Sequence, residues 1–238
     1  MNNPTTGSTS TILSTSTTTH LSVKPLLRGY LHAFAAIAAS IGTILLCLLT
    51  YHDLPKMLSL LIYGLCSIFL FAWSAVYHIG TWSVERRAFL RRVDHTNIFI
   101  MIAGTYTPIV FNIMTGWWRI SILSLIWLLA ALGILLTLVI IPRLHLARRI
   151  SAIMYVAMGW VVIAAIPEII TRVGIPGLLL MILAGVLYTL GAVAYALRKP
   201  ILWSRVFSYH EVFHLATILA NGAFFAFMWV YVVPFVRS

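Results

Sequence analysis

A chain of 238 residues that is 61% hydrophobic and 9% charged, with a mean hydropathy of +1.00, cannot bury its apolar surface in water, where domains carry about 25% charged residues. The composition excludes a water-soluble globular enzyme, a disordered protein and a disulfide scaffold, and leaves an integral membrane protein. The formal charge of +11 would suggest nucleic acid in a soluble chain. Here the basic residues fall between apolar runs, where they set topology and meet anionic lipid, so no nucleic-acid partner is expected.

Residues 1–24 are dominated by Ser and Thr. They lack the basic start and apolar stretch of a secretory signal, and read as a disordered tail. Residues 25–238 read as one all-α transmembrane domain. Seven apolar runs, at 29–50, 58–81, 94–114, 118–141, 150–170, 175–197 and 207–234, each approach the roughly 20 residues that cross a bilayer as helix. None alternates as the strands of a barrel would. Cys47 and Cys66 lie inside such runs and read as packing residues.

Counting Lys and Arg on alternate sides orients the bundle. One side holds Lys24, Arg28, Arg86, Arg87, Arg91, Arg92, Arg143, Arg148, Arg149, Arg198, Lys199 and Arg205; the other holds Lys56, Arg119, Arg172 and Arg237. Twelve against four predicts a cytoplasmic N-terminus and, after seven crossings, an outer C-terminus, in a multi-pass protein of the cell membrane.

Ionisable groups at membrane depth are costly and point to function. His78 ends the second run in WSAVYH, Asp94 opens the third in RRVDHTNIF, and His210 and His214 begin the seventh in YHEVFH. All four fall at one depth, just inside the cytoplasmic face. His210 and His214, four apart, project from one helix face, as do Ser74 and His78. Three imidazoles are a common catalytic zinc shell that leaves a fourth position for water, and a carboxylate such as Asp94 can orient or deprotonate that water. The plainer readings are an Asp94 paired with Arg91 or Arg92, and a Ser74 bonded to its own helix.

HEVFH also matches H-E-x-x-H, the zinc-protease motif in which the Glu is the base. On a helix, however, Glu211 sits about 100° away from His210, and an acid in the first turn already suits a helix N-terminus. His32 can line the same cavity, and His95 points away from Asp94. His20, His52 and His145 fall in tail or loops, while Trp82, Trp117, Trp118 and Trp203 mark membrane boundaries.

The blocks SAVYH, RRVDHTNIFIMIAGTYTP, AGVLYTLGAVAYALRKP and YHEVFH resemble the hemolysin III family, which is related to the adiponectin and progestin receptors and more distantly to alkaline ceramidases. The resemblance implies a seven-helix fold with zinc held by His78, His210 and His214, a water held by Asp94, and Ser74 behind it. The first helix departs from the pattern: LLRGYLH retains His32 without the Glu and Asn that precede it in many bacterial members.

The expectation is therefore a zinc-dependent hydrolase of a lipid amide or ester, with membrane lipid as substrate or ligand. The alternatives are a receptor or homeostasis protein with structural zinc, a pore-forming hemolysin, and an H-E-x-x-H intramembrane protease. A pore would need a polar stripe through several helices, whereas the polar residues gather at one end.

Overall fold

The computed structural model describes residues 27, 29–139, 147–203 and 206–237. The tail assigned to 1–24 lies outside the described residues, as do His20, His145, Lys24, Arg28, Arg143 and Arg205. The chain runs through α1 (Tyr30–Thr50), α2 (Leu54–Ile79), α3 (Val84–Ile113), α4 (Gly116–Val139), α5 (Ala147–Gly159), a tight 3₁₀ turn (Val161–Ala165) and α6 (Ile166–Leu197). A short antiparallel hairpin, β1 (Ile201–Trp203) and β2 (Phe207–Ser208), leads into α7 (Tyr209–Phe227), which ends in one wide turn at Met228–Val232. Among the described residues, six helical runs are long and apolar enough to cross a membrane, one of them the 49-residue run Arg149–Leu197.

That long run is not straight. Gly174 has φ +69° and ψ −179°, a conformation that glycine reaches without steric cost, and the chain folds back there. The indole N–H of Trp160 donates to the Thr189 hydroxyl at 3.0 Å. On one straight helix those residues would stand roughly 43 Å apart at 1.5 Å per residue. The segments before and after Gly174 therefore lie side by side.

Two boundaries differ from the sequence reading. The third run was expected from residue 94, yet α3 begins at Val84, where the Ser83 hydroxyl caps the Arg86 N–H and Glu85 sits in the first turn. Its first turns carry Glu85, Arg86, Arg87, Arg91 and Arg92, so hydropathy does not register them although capping and charge favour helix. Asp94 is thus three turns inside α3 rather than at its start. The hairpin before α7 was not expected, because two strands this short leave no periodic signal.

Burial shows how the helices are arranged. On α1, Phe34, Ile37, Ile41, Ile44 and Leu48 are exposed, while His32, Gly42, Thr43 and Thr50 face inward. The more polar face is inside, as expected where the solvent is hydrocarbon. Helix α3 is the centre of the bundle: every residue from Ala103 to Val110 is buried, and a helix buried on all sides must be surrounded by others.

Polar side chains of α3 and its neighbours tie the helices together. The Tyr106 hydroxyl donates to the Gly159 carbonyl at 2.8 Å and accepts the Val162 N–H at 2.9 Å. It thereby satisfies the backbone where α5 gives way to the 3₁₀ turn. The Trp127 indole donates to Thr107, the Tyr155 hydroxyl to the His95 carbonyl, and the Asn112 amide to Ser59. Tyr63 on α2 donates to the Asn221 side chain on α7 at 3.0 Å.

At the far end from the histidines, Asp53 caps α2 and pairs with Arg237 at 2.5 Å. Lys56 donates to the carbonyls of Val233 and Phe235 at 3.0 and 2.6 Å. Arg119 and Arg237 both lie against the Phe111 ring, and Arg172 bonds Glu168 and Thr115. All four cations assigned to the outer side are held by partners within the protein.

Close approach of α1 and α2 depends on Gly64, where an added Cβ would collide with the Thr43 side chain. Gly64→Val should cost about 1–3 kcal/mol by overpacking and lower the unfolding temperature in detergent. Gly159→Ala, where a Cβ meets nothing within 4 Å, should leave it nearly unchanged.

Candidate metal centre

Three helix ends deliver the histidines. His78 lies in the last turn of α2, His210 and His214 in the first two turns of α7, and His32 near the start of α1. The start of α7 is set locally by a reciprocal cap. The Ser208 N–H and hydroxyl both donate to the Glu211 carboxylate, at 2.9 and 2.6 Å, and the Ser208 side chain accepts from the third-residue N–H. That cap begins the helix at Tyr209 and aligns His210 and His214 on one face. Glu211, fully buried, is the capping acid.

The ligand atoms of His78, His210 and His214 all lie within 4.8 Å of one another, an arrangement that could hold a metal ion. The Nε2 atoms of His78 and His210 are 3.3 Å apart. Ligands about 2.0–2.1 Å from a tetrahedral centre stand roughly 3.3–3.4 Å apart, so this pair already has the spacing of a tetrahedral edge. The donor set also fits: three imidazoles suit zinc and its neighbours in the first transition row.

Asp94 and Ser74 meet beside this cluster. The buried Ser74 hydroxyl and the Asp94 carboxylate border the same cavity and lie close enough to interact. The other group near Asp94 is the His95 ring, with Nδ1 3.9 Å from Oδ2. His95 bonds the Arg91 carbonyl at 2.8 Å and the Tyr195 hydroxyl at 3.1 Å, so its ring reaches α6 on a wall that His210 shares. His32 does reach the site: its ring stacks on His214 with centroids 3.8 Å apart and planes 8° from parallel.

Ser74, Asp94, His32 and His214 line one cavity of about 100 Å³ between α1, α2, α3, α5, α6 and α7. Its remaining wall is mostly apolar, with Met101, Tyr155 and Phe224 among the side chains. A smaller cavity beside it is bounded by Asp94, His95, Tyr195 and His210, so Asp94 borders both. Of the tryptophans read as membrane boundaries, Trp117, Trp118 and Trp203 are exposed, and the Trp82 indole donates to the Val76 carbonyl at the end of α2.

Sequence reasoning missed the tyrosines of the wall. Tyr188 lines the main cavity and Tyr195 the smaller one, its ring 5.5 Å from that of His210. The signal was present: Gly185, Tyr188, Ala192 and Tyr195 recur at helical spacing along a single face of α6, and all four border these cavities.

Comparison with known proteins agrees with the motifs. The family model described as Haemolysin-III related matches residues 17–225. The hemolysin-3 homolog of Bacillus subtilis (strain 168) is 27% identical over 183 residues, covering 77% of this chain and 81% of that protein. Hemolysin-3 of Bacillus cereus is 30% identical over 174 residues, covering 73% and 74%. The human monocyte to macrophage differentiation factor is 26% identical over 209 residues, covering 85% and 82%. With its histidine cluster at one end of a bundle of membrane-length helices, this chain belongs to the hemolysin III family and is a multi-pass protein of the cell membrane.

Proposed function

We propose that the protein is a zinc-dependent hydrolase of a membrane lipid amide or ester. The observation that carries this reading is the convergence of three imidazoles and the neighbouring Ser74–Asp94 pair beside one largely apolar cavity. His78, His210 and His214 hold the ion. Bound there, zinc supplies Lewis acidity that polarises a carbonyl and eases ionisation of water. Ser74 donates to Asp94 and fixes its rotamer, leaving carboxylate lone pairs to accept a proton from water in the cavity and return it to the leaving amine or alkoxide. The apolar wall receives the acyl chain and keeps bulk water from the reacting carbonyl.

The same reading includes seven crossings with a cytoplasmic N-terminus. Arg149–Leu197 would measure roughly 74 Å if straight, more than twice the roughly 30 Å hydrocarbon core. The reversal at Gly174 and the Trp160–Thr189 hydrogen bond support two crossings from this run. The orientation is supported by how the cations are used. Arg86, Arg87, Arg91, Arg149, Arg198 and Lys199 are exposed on the side assigned to the cytoplasm, free to meet an anionic leaflet, whereas Lys56, Arg119, Arg172 and Arg237 are held internally.

Three outcomes are expected. Cysteines placed at Ser10 and Ser238, with Cys47 and Cys66 removed, should label from opposite sides of the membrane; labelling from the same side would overturn the odd number of crossings. Purified protein should contain about one zinc per chain, lost on His210→Ala or His214→Ala, and zinc retained in both variants would discard the ligand assignment.

The third outcome concerns the base. Asp94→Asn should keep the metal while lowering turnover of a ceramide and lipid-ester panel about 10²–10⁴-fold. Glu211→Gln should remain active and lose stability through its weakened helix cap, by about 0.5–2 kcal/mol. Cleavage of a membrane peptide that depends on Glu211 would instead establish the protease reading. Full zinc occupancy without turnover of any substrate would favour a receptor or structural role.

A further inference from the structure

His32 stands outside the ligand set yet is built into its surroundings. The residue is 3% exposed, flat against His214 on one side, with the edge of Phe71 5.1 Å away. An imidazole nitrogen directs its lone pair within the plane of its own ring. With the two rings parallel and 3.8 Å apart, an ion in the plane of His214 is displaced from the plane in which His32 can bind. Neither His32 ring nitrogen has a hydrogen-bond partner of good geometry, although the residue lines the main cavity.

One other polar group on that wall is in the same condition. The Tyr188 hydroxyl is shielded and makes no hydrogen bond. The neighbouring hydroxyls of Thr105, Thr189 and Thr217 instead donate to carbonyls one turn back on their own helices. Buried polar atoms nearly always have a partner, and those that lack one call for an explanation. Here both orphaned side chains border space large enough to be filled by a ligand.

We infer that His32 and Tyr188 recognise a hydrogen-bonding substituent on a long-chain lipid, with a hydroxyl group as the matching chemistry. A neutral imidazole offers one donor and one acceptor in the plane of the ring, and a hydroxyl both donates and accepts. The stack places His32 one ring's thickness from His214, so the recognised substituent lies close to the histidine cluster rather than at the far end of the chain. Plain hydrocarbon entering the same cavity would leave the imidazole and the phenol unpaired, and a site built to hydrogen-bond a substituent discriminates strongly against the analogue that lacks it. The inference rests on the reading that the cavity takes a lipid, and requires neither turnover nor bound zinc.

The experiment is equilibrium binding of palmitate, 2-hydroxypalmitate and 3-hydroxypalmitate to the purified full chain in detergent, by displacement of a fluorescent fatty acid. At least one hydroxylated chain should bind about tenfold or more tightly than palmitate. His32→Phe retains a flat ring against His214 but has no nitrogen, and should bring the affinities together while leaving metal content unchanged. Tyr188→Phe should reduce the preference severalfold.

Equal binding of all three chains by the unaltered protein, or a preference that survives His32→Phe, would overturn the inference. If His32→Phe does not fold, Tyr188→Phe decides, and an undiminished preference in that variant overturns it. Because the readout is binding, a protein that hydrolyses nothing can still pass. A lipid hydrolase indifferent to the hydroxyl fails here alone.

Discussion

Hydrocarbon offers no hydrogen-bond partner, and this one constraint organises the molecule. A polar group at membrane depth finds its partner within the protein, either one turn back on its own helix, as Thr105, Thr189 and Thr217 do, or on another helix, where it becomes a fixed joint. The centre of α3 shows the result. Tyr106 joins it to the interrupted end of α5, Thr107 to Trp127 of α4, and Asn112 to Ser59 of α2. The stretch AGTYTP, the end of one of the four blocks that carry the family resemblance, is thus the structural hub of the bundle. Its role is to set helix positions, while the chemistry-bearing residues lie at one end.

The same constraint gives the two ends of the bundle different characters. At the end opposite the histidines, Asp53 and the Phe111 ring gather Arg237 and Arg119, and Lys56 takes up the carbonyls left open where the last helix stops. Every cation there has an internal partner and the end is tied shut. At the histidine end, three imidazoles converge beside a cavity whose wall contains an imidazole and a phenol without partners. In a medium where unpaired polar groups are costly, that pair of side chains sets this end apart from the closed one.

The H-E-x-x-H sequence is a case in which local chemistry separates two readings of the same five residues. Glu211 satisfies Ser208 at the helix start, and that cap is what presents His210 and His214 together. The acid in the motif is accounted for by helix initiation. The carboxylate that borders the cavity, Asp94, comes from another helix, α3, and has Ser74 of α2 beside it.

Hydropathy and residue spacing alone determined the membrane class, most of the helices and the grouping of His78, His210 and His214 at one end of the bundle. These features follow from composition and helical period, which are properties of contiguous segments. The true start of α3 was obscured because its first turns are charged, and hydropathy does not register charged helix. Only the tertiary structure decided the meeting of Ser74 and Asp94 at one cavity, the stacking of His32 on His214, the reversal at Gly174 and the tyrosine-lined wall of α6. Each depends on residues between about 15 and 182 positions apart, or on one backbone dihedral, brought about by packing around α3. No local period encodes such meetings; they follow from the requirement that all the helices satisfy their polar groups together.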